Sequence, residues 1–111
     1  MQFAKAKTRF VRISPQKARL AAGLIRRLNV EEALLQLQHS KTKGGRLLKK
    51  TLQSAVANAE TQMQAKRENL IVHEVRVDNG PIMYRAKSKN RGGRVPIRKR
   101  MSHFTVVLRT A

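Results

Sequence analysis

Residues 85–100 read Arg-Ala-Lys-Ser-Lys-Asn-Arg-Gly-Gly-Arg-Val-Pro-Ile-Arg-Lys-Arg, with eight cations, no acid and a Gly-Gly pair near the middle. Apolar residues are too few here for the segment to build a core of its own. In an extended chain alternate side chains share a face, which aligns Arg85, Lys87, Lys89 and Arg91. A two-residue turn at Gly92-Gly93, where both central residues take positive φ, returns Arg94, Arg98 and Arg100 to that face. This register sets Arg91 opposite Arg94, Lys87 opposite Arg98 and Arg85 opposite Arg100. Like charges directly opposite one another weaken a ladder. The spacing therefore predicts a cationic hairpin arm, mobile in the free protein and ordered against a polyanion.

Charge is unevenly spread through the 111 residues. Residues 1–30 hold eight cations and no acid, residues 31–80 eight cations against six acids, and residues 81–111 nine cations and no acid. Nearly all of the net +19 sits at the two ends. A balanced middle with basic ends reads as one folded body, residues 1–81 and 103–111, carrying an arm over 82–102 whose self-repulsion a phosphate-rich partner relieves. An acidic protein or an anionic membrane would be the alternatives. No run approaches the roughly 20 apolar residues of a membrane-spanning helix, and the N-terminus lacks a signal-peptide core, so the expectation is a soluble, unexported chain. The absence of cysteine removes disulfides, thiolate metal sites and cysteine nucleophiles. With no Trp, one Tyr and three Phe, binding must lean on phosphate contacts and shape more than on stacked bases.

Along the chain, residues 3–13 alternate loosely between small or apolar and basic groups and read as a strand. Ser14-Pro15 signals a helix start, serine as N-cap and proline at N1. This helix is expected over 15–28, with Ala21, Leu24, Ile25 and Leu28 as its buried stripe. Asn29 with Glu32 three residues on resembles a capping box opening a short second helix through Ala33, Leu34 and Leu37. Ser40 is the expected cap of a long third helix over 41–66, with Leu48, Leu52, Ala55, Val56, Ala59 and Met63 facing the core. Gly44-Gly45 weakens its first turn. Residues 70–77 turn β-rich, with Ile71, His73, Val75 and Val77 assigned to one face, and Asn79-Gly80-Pro81 interrupts the pattern before the arm. Thr105-Val106-Val107-Leu108 returns beside them, so 71–77 and 103–109 form the hairpin's base. The expected fold is α+β: three helices packed on a small antiparallel sheet, with a long protruding β-hairpin arm reaching roughly 26 Å past the body.

Enzymatic chemistry finds little support. Glu31 and Glu32 are adjacent on a helix and diverge by about 100°, so they read as first-turn charges complementing the helix dipole. His39, His73 and His103 lie in three different elements without metal-ligand spacing. His73 and His103 could meet at the hairpin base, in packing or a phosphate contact. A single Arg91-Gly92-Gly93 triplet is a turn and not a repeated RGG tract. Lys66, Arg67 and Arg109 read as solvated charges.

Three stretches resemble one known family: Arg12-Ile13-Ser14-Pro15-Gln16-Lys17-Ala18-Arg19, Leu52-Gln53-Ser54-Ala55-Val56-Ala57-Asn58-Ala59-Glu60 and Arg98-Lys99-Arg100-Met101-Ser102-His103-Phe104. Their order and spacing are similar, over the whole chain, to large-subunit ribosomal protein twenty-two of bacterial or organellar type. The arm is a few residues longer than the common bacterial form, and Tyr84 stands where proline is frequent. The resemblance implies a structural, non-catalytic protein of the large ribosomal subunit, at work in the cytoplasmic or organellar ribosome. It implies a body on the subunit surface and a hairpin running inward through ribosomal RNA, with its tip on the nascent-peptide exit tunnel near where macrolides bind. Partners would be large-subunit ribosomal RNA, neighbouring ribosomal proteins and the nascent peptide, without membrane, cofactor, metal or small-molecule substrate.

Charge placement nominates Lys5, Lys7, Arg9, Arg12, Arg85, Lys87, Lys89, Arg91 and Arg94 for RNA contact. The resemblance adds Lys17, Arg19, Arg98, Lys99, Arg100 and His103, places Ser88, Lys89, Asn90, Arg91, Gly92 and Gly93 at the tunnel tip, and gives Asn58 a structural role within its helix. The rival reading is a basic architectural protein that coats nucleic acid without a fixed site. A defined turn, Pro96 and alternating faces suit one particular channel better than a flexible coat does.

Overall fold

A computed structural model describes residues 2–88 and 92–110. Strand β1 (Phe3–Val11) leads into helices α1 (Pro15–Ile25), α2 (Val30–His39) and α3 (Lys43–Gln62). A 3-10 turn (Arg67–Asn69) then precedes the long strands β2 (Leu70–Ser88) and β3 (Arg94–Thr110). The sheet is antiparallel in the order β1-β3-β2, so the C-terminal strand is central. Its helix-side face buries Ala4, Ala6, Phe104, Val106 and Leu108 of β1 and β3 toward Leu48, Leu52, Ala55, Val56 and Ala59 of α3, while Val72, Val75 and Val77 of β2 lie toward α1. Each fully buried large side chain in this layer contributes roughly 1.5–3 kcal/mol through removal from water. The expected α+β architecture and the expected α3 stripe are both present, with Met63 only partly buried.

Helix boundaries follow local hydrogen bonding. Ser14 Oγ accepts from Lys17 N at 3.4 Å with Pro15 at the first helical position, as expected. The helix ends at Ile25 and not at 28, because Arg26 turns extended and Arg27 adopts φ +65°. Its buried stripe is Ala18, Ala21, Ala22 and Ile25; Leu24 is 49% exposed and Leu28 packs only partly. The small residues permit a close crossing with α3, where a Cβ on Gly44 would stand 3.5 Å from the Ala18 Cα. Asn29 caps α2 through Glu31 N at 3.0 Å. Ser40 terminates α2 instead of opening α3, and the N-cap of α3 is Thr42, whose Oγ1 accepts from Gly45 N at 3.1 Å. A Cβ on Gly45 would stand 2.6 Å from Ser40 Oγ, so the glycines admit this tight junction and do not merely weaken a turn.

The register of the β2–β3 hairpin departs from the expectation. Val72 lies opposite Leu108, Val75 opposite Val106 and Val77 opposite Phe104, with a bulge between Val72 and Glu74. That bulge changes the inward set, so Leu70, Val72, Val75 and Val77 are buried while Ile71 is half-buried and His73 exposed. A second bulge at Gly80-Pro81 faces the single residue Met101 and replaces the expected interruption; β2 runs on without a break. Beyond it Ile82 pairs with Arg100, Tyr84 with Arg98, Arg85 with Ile97, Lys87 with Val95 and Ser88 with Arg94. Cations therefore oppose apolar or polar residues, and the expected like-charge pairs do not form. A two-residue turn at Gly92-Gly93 is incompatible with a Ser88–Arg94 pair. Gly92 does take a positive φ of 78°, while Lys89, Asn90 and Arg91 lie outside the described residues.

Candidate nucleic-acid interface

The paired strands extend past the helices and give the molecule principal dimensions of 62 × 24 × 17 Å. Its radius of gyration is 16.9 Å, against about 13 Å for a compact chain of this length. β1 pairs with β3 only up to Ser102, so both outer edges of the arm are open among the described residues. In the body the outer edge of β2 is covered. Arg19 donates from Nε and Nη2 to the Val77 carbonyl at 3.3 and 3.1 Å, and Arg26 Nη2 donates to the Val75 carbonyl at 3.2 Å. Arg27 N donates to the Val72 carbonyl at 3.1 Å, and Val72 N to the Leu28 carbonyl at 2.9 Å. A naked edge invites strand addition. Here guanidinium groups and a loop close it.

β3 carries no bulge of its own, so alternation along it assigns the arm's charges. Arg98 and Arg100 share the helix-side face of Ser102 and Phe104, with Ile82 and Tyr84 across from them. Lys99 shares the face turned away from the helices with half-buried His103 and buried Thr105, and Arg85 is close by on that face. Lys5 and Lys7 join the same face, because they alternate with buried Ala4 and Ala6. The structure thus brings Lys5, Lys7, Arg85, Lys99 and His103 onto one side and Arg19, Arg98 and Arg100 onto the other. The single basic face expected for the arm is replaced by two. Arg12 and Lys17 are exposed beside the first turn of α1, and Arg9 sits at the β1 irregularity between Thr8 and Val11.

Two nominated side chains are held by the body. Besides the Val77 carbonyl, Arg19 Nη2 donates to Asn79 Oδ1 at 3.4 Å. His103 Nδ1 accepts from the Phe10 amide at 3.1 Å, and the rings of Phe10 and His103 meet edge-on with centroids 5.1 Å apart. Phe10 pays for that contact with a left-handed φ of 59°, a conformation costing a non-glycine residue about 1–3 kcal/mol. With Nδ1 accepting, the neutral ring keeps its proton on Nε2 as a donor. His73 does not meet His103. It packs against Phe3 at 5.1 Å, while Asp78 is the partner of His103. Asn58 does not act within its own helix: its Nδ2 donates to the Lys5 carbonyl at 3.0 Å and ties α3 to β1.

Among the described residues the ion pairs are Arg67–Glu60 at 3.7 Å and Arg76–Glu74 at 3.2 Å, both in the body. Neither engages a cation of the arm, of α1 or of β1. Sequence reasoning missed Arg26, and missed a cleft of about 310 Å³ where α1 meets the root of the arm, lined by Pro15, Arg19, Asn79, Ile82, Arg100 and Met101 among others. Neither had a readable signal, since each depends on which residues the bulged register sets beside α1.

This arrangement of α+β body and basic two-stranded extension has close relatives. The chain is 68% identical over 108 residues to the large ribosomal subunit protein uL22 of Protochlamydia amoebophila, with 97% of each chain covered. It is 62% identical over 104 residues to the protein of the same name from Chlamydia pneumoniae, with 94% of each covered. The family model described as ribosomal protein L22p/L17e matches residues 6–109, nearly the whole of the body and arm. The chain belongs to the ribosomal protein L22p/L17e family.

Proposed function

We propose that the arm of this chain threads folded ribosomal RNA and brings residues 88–93 to the wall of the nascent-peptide exit tunnel, while the body anchors it at the subunit surface. As a member of its family the chain is a structural, non-enzymatic constituent of the large ribosomal subunit that binds ribosomal RNA and assembles with other ribosomal proteins. Among the described residues no helix is long and apolar enough to cross a membrane. The observation that carries the threading is the display of cations on both faces of the arm, Arg98 and Arg100 on one and Arg85 and Lys99 on the other. A segment lying on an RNA surface needs one basic face. One surrounded by RNA needs two, with open edges whose amides and carbonyls can meet phosphates and 2′-hydroxyls. Lys5, Lys7, Arg9, Arg12, Lys17 and His103 extend the contact onto the body.

Two measurements test this. The protein should remain with large subunits sedimented through a salt wash that strips a non-specific coating protein. A photo-crosslinker placed at Asn90 should capture a stalled nascent chain, and ribosomes lacking residues 88–93 should respond differently to macrolides. Capture of RNA alone, with unaltered macrolide and stalling responses, would remove the tip from the tunnel and leave the anchoring role intact.

A further inference from the structure

We propose that the cleft between the first turn of α1 and the root of the arm receives one nucleotide swung out of the RNA stack. Arg19 would form one wall and Arg100 would hold the adjoining phosphate. This rests on the reading that the chain binds ribosomal RNA and adds a site for a base to what is otherwise backbone recognition.

The Arg19 guanidinium is already fixed in place. Its three hydrogen bonds to the Val77 carbonyl and Asn79 Oδ1 leave a planar cation with a set orientation, a surface on which an unstacked base lies flat. Because Asn79 Oδ1 already accepts from Arg19, its amide Nδ2 is turned to other partners and offers donors to the acceptor edge of a base. Pro15, Ile82 and Met101 supply apolar lining, and Ile82 is 40% exposed. Arg100 reaches the same cleft from the opposite strand, as the partner of Ile82. The volume of about 310 Å³ lies at the lower end for small-molecule sites, a scale that suits one nucleotide and not a helix. This chemistry also answers the scarcity of aromatic side chains. A held guanidinium takes the part that Phe or Tyr plays in other single-strand binders.

The test uses the full chain bound to protein-free large-subunit ribosomal RNA, with base-specific chemical probing and affinity measured over a salt series. Arg19→Lys keeps the charge and removes the plane; Ile82→Trp fills the cleft from an exposed position. The wild-type protein should change the reactivity of one discrete base beyond its protection of the sugar-phosphate backbone. Both variants should restore that base to its free reactivity and weaken binding about 5- to 150-fold, the range of one base–side-chain stack, with the salt slope unchanged. Thermal unfolding of Ile82→Trp should match wild type, separating occupancy from folding. If neither variant alters any base, or if the base is protected only when other ribosomal proteins are added, the cleft holds no nucleotide of its own and the proposal falls. A steep salt slope in that same experiment would still uphold RNA binding, whereas loss of the slope would overturn the function itself.

Discussion

Strands β2 and β3 run through both body and arm, and what holds their register in one is missing from the other. In the body, Val72 with Leu108, Val75 with Val106 and Val77 with Phe104 are buried pairs. A slip of one residue there would turn the whole apolar set to water. In the arm, Arg85 with Ile97 and Tyr84 with Arg98 are exposed pairs. Little there resists a slip. The arm therefore inherits its register from the body, through the bulges at His73 and Gly80-Pro81, and its charge display is decided at its root and not at its tip. The difference is functional as well: one region is specified by packing, the other by a partner still to be met.

The largest loss is expected where packing sets the register. Ala55 is fully buried in α3. Ala55→Asp places an unpaired carboxylate there, and loss of several kcal/mol is expected, comparable to the entire stability of a small domain. Circular dichroism should show no cooperative transition, and the chain should fail to enter subunits. Phe104→Ala leaves the fold but opens a cavity at the centre of the sheet, costing about 3–5 kcal/mol by chemical denaturation. A fold that shrugs off either change would mean the body does not rest on this core.

Gly80→Ala probes the root. An added Cβ would stand 3.0 Å from the Met101 carbonyl carbon and oxygen, backbone atoms that cannot swing aside. The bulge should lose about 1–3 kcal/mol, as for other overpacked sites. Cross-strand amide contacts between Tyr84 and Arg98 should weaken more than those between Val75 and Val106. Equal weakening of both would show that the root is not the point of control.

What was legible in the sequence divides along the same line. The α3 stripe at Leu48, Leu52, Ala55, Val56 and Ala59, the Ser14-Pro15 start and the pairing of 71–77 with 103–109 could be read because burial imposes periodicity on residue type. The arm's identity as a basic hairpin was equally plain. Its register was not, because the bulge at His73 leaves no compositional mark, Gly80-Pro81 read as a break in the strand and not as a bulge, and Gly92-Gly93 looked like a sufficient turn. Leu24 misled for a related reason: alanines at 18, 21 and 22 pack closer to α3 than leucine can, and the stripe moved round to them. The double duty of Arg19, strapping β2 and lining the cleft, depends on a contact across 58 positions that no local pattern encodes.

Removing the arm tip should have a small effect on the body. Among the described residues of this tip, Gly92 and Gly93 are exposed and Val95 is not part of the buried core. Their deletion, closed by a short turn, should change the stability of the body by less than about 1 kcal/mol. Amide exchange of residues 50–63 should be unchanged. A large loss would mean that the arm supports the body, reversing the dependence argued here.

The smallest effect on folding should come with a clear effect on binding. Arg98 is exposed on the helix-side face and lies opposite Tyr84, with no ion-pair partner among the described residues. Arg98→Gln should leave the midpoint of unfolding within about ±0.5 kcal/mol of wild type. On RNA the outcome differs, because every phosphate neutralised releases condensed counterions and steepens the fall of log affinity with log salt by about 0.7–0.9. A chain making six such contacts starts from a slope of roughly −4 to −5, and Arg98→Gln should make it shallower by nearly one unit. Arg85→Gln, on the opposite face, should do the same, and the double variant should lose both increments. That additivity is the decisive reading. RNA on one side only would leave one of the two substitutions silent, and the arm would then lie along a surface instead of passing through it.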